Sequence, residues 1–149
     1  MAGTAREDVD LILRLYEMRR EETMRKARKF MIEEFYAADG GEFAQKYKPG
    51  TEPHAWFRQA TSYWDMVGAF VQRGLLDEEL LFETAAEFQI IWEKVRATVI
   101  DIRKARSNPF YLKNLEDLAT RHKEWMESRA PGSTAFFASL NRPPAAAKA

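Results

Sequence analysis

Leu81, Ala85, Phe88, Trp92, Val95, Val99 and Ile102 follow one another at alternating steps of four and three. On a rod with about 3.6 residues per turn such side chains share one face, so the spacing predicts a helix with a single buried stripe. A repeat held this long suits near-antiparallel packing against other helices. The same rhythm runs through Trp56, Ala60, Tyr63, Val67 and Phe70, with Trp64, Gly68, Val71 and Leu75 as a second stripe beside it, and returns at Tyr111, Leu115, Leu118, His122 and Trp125. No segment shows strand-like alternation bounded by turns, and the fold class read from the pattern is all-α.

Glycine and proline gather between these segments: Asp39–Pro53, Gly74, Ser107–Pro109, Ala130–Gly132 and Arg142–Pro144. The first segment, about Ala5 to Ala38, has apolar positions Val9, Ile12, Leu13 and Tyr16, then Met24, Ala27, Met31 and Phe35. Between them Arg19–Thr23 offers no apolar side chain, and the segment is read as one long helix with a solvated waist in preference to two helices meeting at a kink. A short turn is expected at Glu42–Tyr47 inside the first loop. In "RGLLDEE", Gly74 suits a left-handed helix end, Asp77 an N-cap and Leu76 a staple onto Leu81, which together make the corner of an αα-hairpin. Gly68 is expected where two helices approach closely. Asn108 or Ser107 is expected to cap the last main helix, with Pro109 in its first turn, and Arg129 to end it before a turn at Ser133–Leu140 and a frayed end. The expected architecture is an antiparallel bundle of four main helices, with a long N-terminal helix and a short C-terminal tail. It forms a single domain over 1–149 (core about 5–129, tail 130–149), a length at which one core can form unaided.

Lys+Arg and Asp+Glu both total 23, so net charge gives no support to a dedicated nucleic-acid binder. Cysteine is absent, which removes disulfides, thiolate metal sites and cysteine nucleophiles. Acids and arginines interrupt the apolar residues of the N-terminus, and no run approaches the roughly 20 apolar residues of a membrane span. The expected location is cytoplasmic.

Each candidate for chemistry has a structural reading beside it. His122 lies on the inward stripe of the last helix, where a histidine satisfied by a neighbour is the simpler reading and a ligand-binding role, with Trp92 and Tyr63 lining a pocket, the sharper one. His54 reads as a helix-start residue. Neither histidine follows a glutamate by three positions, which argues against a carboxylate-bridged metal site; no metal, cofactor or catalytic residue is assigned. Arg25, Lys26, Arg28 and Lys29 could meet an anion or nucleic acid, though Glu17, Glu21, Glu22, Glu33 and Glu34 favour a self-paired solvated face. Aromatic residues make up 13% of the chain, more than a leucine-based bundle uses. The surplus, with Phe136–Phe137 in the tail, points either to an aromatic core or to apolar surface for an oligomer interface.

The blocks "LRLYEMRREETMRKARKFMIEEF", "SYWDMVGAFVQRGLLDEELLFE" and "WEKVRATVIDIRKARSNPFYLKNLEDLA" together resemble an uncharacterised bacterial all-helical family, a domain of unknown function, over about Leu11 to Glu127. The resemblance carries no activity. Some relatives place a membrane helix ahead of the domain, which implies an association role at most. Function is therefore expected to be that of a non-enzymatic helical interaction or oligomerisation module, with a homo-oligomer or another helical protein as partner. Ligand binding near His122 and anion binding at Arg25–Lys29 are the alternatives.

Overall fold

The computed structural model describes residues 5–145, and among them every regular element is helical. Seven α-helices follow in order: α1 (Ala5–Arg19), α2 (Glu22–Lys29), α3 (Gly40–Lys46), α4 (Glu52–Gln72), α5 (Glu78–Thr84), α6 (Glu87–Ala105) and α7 (Lys113–Arg129). A wide π turn, Phe30–Glu34, continues α2, and a 3₁₀ turn, Ala135–Ser139, lies in the tail. Residues 146–149, part of the tail expected to fray, lie outside the described residues.

The expected long first helix is broken. Glu21 adopts an extended conformation (φ −60°, ψ 145°), and its carboxylate accepts from the backbone N–H groups of Thr23 (3.0 Å) and Met24 (2.9 Å), capping α2. These two bonds hold the Glu21 carboxyl below its ordinary pKa. The solvated waist fails at Arg19 as well, which is buried: its Nη1 donates to Tyr63 Oη at 3.1 Å and its guanidinium lies 5.0 Å from the Trp64 ring centre. An apolar count misses a cation that desolvates onto ring faces.

The helix expected from Asp77 onward is also divided, at Ala85 and Ala86, both extended in φ. Ala85 N still closes the last turn of α5 onto Leu81 O (2.9 Å), and the chain then runs extended through Ala85 (φ −151°, ψ 147°) before α6 begins. The corner before it forms as expected. Gly74 has φ +71°, Leu75 N donates to Phe70 O (2.9 Å) and Gly74 N to Val71 O (3.0 Å), a full Schellman end, and Asp77 accepts from Leu80 N at 2.8 Å. The flanking helices nevertheless do not pair along their lengths. α4 packs chiefly on α7 and α2, α6 on α7 and α3, and α4 reaches α6 through large rings such as Trp64 and Phe88, 5.5 Å apart.

The last helix begins later than expected. Asn108 caps only a local turn, its Oδ1 accepting from Phe110 N at 3.0 Å, and Leu112 turns left-handed (φ 52°) before α7 starts. Its end is capped across the fold instead, because Asp65 of α4 accepts from Leu115 N at 2.9 Å. Gly68, one turn further along α4, meets this same end: a Cβ there would lie 2.5 Å from the Asn114 carbonyl oxygen. The buried side chains of the helices form one apolar cluster, with Trp64, Phe57, Phe88, Ile91, Val95, Leu115 and Leu118 among its members.

Candidate functional site

His122 is 2% exposed, with Phe82, Phe88 and Trp125 rings 4.9–5.9 Å from its own. Its Nδ1 lies 3.0 Å from Gln89 Oε1, and Gln89 Nε2 donates to Glu93 Oε1 at 3.1 Å. A carboxylate only accepts, so Glu93 fixes the amide's orientation, the amide oxygen faces His122, and Nδ1 carries the proton. Burial pushes the imidazole down to about 4, which keeps the ring neutral at ordinary pH. Glu93 in turn accepts from Arg96 Nη1 at 3.4 Å. The chain of groups emerges in a groove of about 250 Å³ between α6 and α7, whose walls include Trp92, Glu116 and Lys123. An amide does not take up or release protons at ordinary pH, so Gln89 insulates His122 from Glu93. The arrangement holds a histidine in place behind an amide and does not bring its ring to the groove wall.

The three residues expected to line one pocket are therefore spread out. Trp92 lines the groove, with the Arg103 guanidinium 5.7 Å from its ring centre. His122 lies behind Gln89. Tyr63 is elsewhere, its hydroxyl donating to Leu15 O at 2.7 Å while accepting from Arg19. Trp125 Nε1 is buried without a hydrogen-bond partner. His54 sits within the first turns of α4 against Phe43, 5.9 Å between ring centres, and is held below its ordinary pKa first by burial and then by Arg58 and Arg106.

The basic run is divided too. Arg28 turns inward, its Nε and Nη2 gripping both oxygens of Glu87 at 2.7–3.0 Å, and Nη1 donates to Arg19 O. Trp64 Nε1 donates to the same carboxylate at 3.2 Å. Glu87 thus ties α2, α4 and α6 together, and it raises the pKa of Arg28 through these bonds. Lys26 pairs with Glu22 at 3.4 Å on the surface, which leaves Arg25 and Lys29 as exposed cations of the run. Spacing gave no hint of the Glu87 hub, since its partners come from distant segments.

The most exposed apolar face belongs to α1. Val9, Leu13 and Tyr16, expected to point inward, are 45%, 55% and 50% exposed, whereas Leu15 and Asp8 are buried. Asp8 Oδ1 accepts from Asp77 N at 3.3 Å, which helps set the helix's rotation. Phe137 of the tail is buried on its own chain and Phe136 is exposed. Among the described residues no helix is long and apolar enough to cross a membrane, and no cluster of three or more His, Cys, Asp or Glu is placed to hold a metal ion.

An all-helical domain with an insulated histidine and an exposed apolar helix face is what the geometry defines. The chain belongs to the family described as Domain of unknown function (DUF4760), whose model matches residues 4–122. The match takes in all of α1 to α6 and most of α7, and ends at His122. No curated protein and no solved structure matches the chain.

Proposed function

We propose that this chain is a non-enzymatic association module, a single domain of four main rods in an antiparallel bundle that pairs with a second copy of itself through α1. The observation that carries the reading is the ladder of Val9, Leu13 and Tyr16, at steps of four and three on a helix whose other side is already docked. A contiguous exposed apolar patch is often an interaction site. A second copy is the occupant that the charges favour: exposed Asp10 lies toward the start of α1, and exposed Arg14 and Arg20 lie toward and just beyond its end. Antiparallel pairing sets Asp10 of each helix near Arg14 of the other, with Val9 opposite Tyr16 of the second copy and Leu13 near the axis. A helix of this length buries less than the roughly 800 Å² per partner of a standard interface, so affinity in the micromolar range is expected.

Sedimentation equilibrium tests it. The apparent mass is expected to rise from 17.3 kDa toward twice that value between low and high micromolar concentration, and Leu13→Asp is expected to hold it at the monomer value with unchanged circular dichroism. A wild-type chain that stays monomeric at several hundred micromolar, or a Leu13→Asp chain that associates as well as wild type, would overturn the reading. Binding of a small ligand at His122, with Trp92 and Tyr63, receives less support because the three side chains do not share a cavity wall. Anion binding at Arg25, Lys26, Arg28 and Lys29 is weakened by the engagement of Arg28 with Glu87.

A further inference from the structure

Lys94 is 5% exposed in α6. Its neighbours along the same buried region are Ile91, Val95 and Thr98, and among the described residues it is the one buried lysine. Its Nζ donates to Ile32 O at 2.9 Å. The wide turn explains this first bond. Phe35 N reaches back five residues to Phe30 O, Tyr36 N donates to the Tyr47 hydroxyl instead of continuing the helix, and Ile32 O is left as a helix-end carbonyl needing a donor. An ammonium at that end also complements the helix dipole. One carbonyl does not satisfy an ammonium, which has three N–H bonds. Among the described residues no carboxylate lies within ion-pair distance of Lys94, and burial lowers its pKa to about 8.

Lys94 lines a cleft of about 410 Å³ between the wide turn, α6 and the tail. The volume lies within the usual range for small-molecule sites. Ile32, Phe35, Ile90 and Leu140 supply apolar walls, and Arg142 supplies a second cation. The charged and titratable groups in the lining are Lys94 from α6, Glu33 from the wide turn and Arg142 from the tail. The tail is fastened where it forms the wall: Phe137 is buried, and Asn141 Nδ2 donates to Ala37 O at 3.4 Å.

We propose that this cleft is a binding site for a small carboxylate carried on an apolar body, with the Lys94 ammonium and the Arg142 guanidinium receiving the carboxylate and Ile32, Phe35, Ile90 and Leu140 covering the apolar part. A carboxylate supplies what Lys94 lacks, an anionic acceptor for its remaining N–H bonds. Charge-assisted bonds are stronger than neutral ones. The inference does not depend on self-association through α1, which lies outside the cleft's lining.

Octanoate is a suitable probe, with octanol as its uncharged counterpart, and isothermal titration calorimetry with the full chain the readout. Octanoate is expected to bind one equivalent with at least ten-fold higher affinity than octanol at pH 6.5. Because the anion binds protonated Lys94, affinity is expected to fall at least ten-fold between pH 6.5 and pH 9.5 in the unmodified protein. Lys94→Met is expected to lose octanoate binding at pH 6.5, and Arg142→Gln to weaken it several-fold. Equal affinity for octanoate and octanol, octanoate affinity unchanged between the two pH values, or no binding of either probe would overturn the proposal. The pH comparison uses only wild-type protein, so a failure of Lys94→Met to fold does not spoil the test.

Discussion

Lowering the pH should destabilise the domain through His122. In the unfolded chain a histidine titrates near its ordinary pKa of 6.5, whereas in the folded chain burial among Phe82, Phe88 and Trp125 holds His122 at about 4. Between those values the unfolded state binds a proton that the folded state refuses, so stability rises with pH across the window. The contribution is fully present above pH 6.5 and is lost as pH falls through 6.5 toward 4. With these two values, integrating between pH 7 and pH 4.5 gives a loss of about 2 kcal/mol. That is a sizeable share of the roughly 5–15 kcal/mol that holds a domain together. Urea denaturation at the two pH values measures it. His54 shifts in the same direction, so the comparison needs a His122→Leu variant. This variant is less stable at pH 7 because Gln89 loses a partner, but its loss on acidification should be smaller than that of wild type by about 2 kcal/mol. The ¹³C shift of the His122 ring should in parallel titrate well below 6. Equal pH profiles for wild type and His122→Leu, or a ring that titrates near 6.5, would refute the account of an insulated, neutral histidine.

Two substitutions probe the packing. Gly68→Ala removes a helix-interior glycine, worth about 1 kcal/mol to α4, but sets a methyl 2.5 Å from the backbone oxygen of Asn114. The backbone of α7 cannot rotate away as a side chain would, and overpacking of this kind costs typically about 1–3 kcal/mol; a net loss of about 1 kcal/mol in thermal or chemical denaturation is expected, and a stabilised variant would count against the close approach. Glu87→Gln leaves the inward-turned Arg28 without its carboxylate and should cost about 2 kcal/mol, the range for hydrogen bonds to charged groups. A double-mutant cycle with Arg28→Gln should return most of that loss as coupling energy, and a coupling near zero would show that Glu87 is no hub.

Local periodicity by itself determined that the chain is helical and which stretches carry α4, α6 and α7, but not the division at Ala85 and Ala86 or the late start of α7. The Gly74–Asp77 corner was legible down to its hydrogen bonds, because a left-handed glycine and an N-cap act within one turn of their own backbone. Gly68 could be read as a close approach, and His122 as inward-facing, because each sits on a stripe. Family membership was likewise visible in the motifs around Ser62–Glu83.

What the tertiary structure alone decided are the features whose partners lie far along the chain. Arg19 is buried because it finds Tyr63 and Trp64, and α7 begins late because Asp65 caps it from another helix. The rotation of α1, which puts Val9, Leu13 and Tyr16 in water, is tied to Asp8 meeting the backbone of Asp77. Lys94 gained its setting only when the wide turn of residues 30–34 left a carbonyl opposite it. Spacing along a helix tells which side chains share a face, since that follows from the local geometry of the backbone. It does not tell which face meets which, because that is settled by shape and by charged groups that need a partner once water is gone.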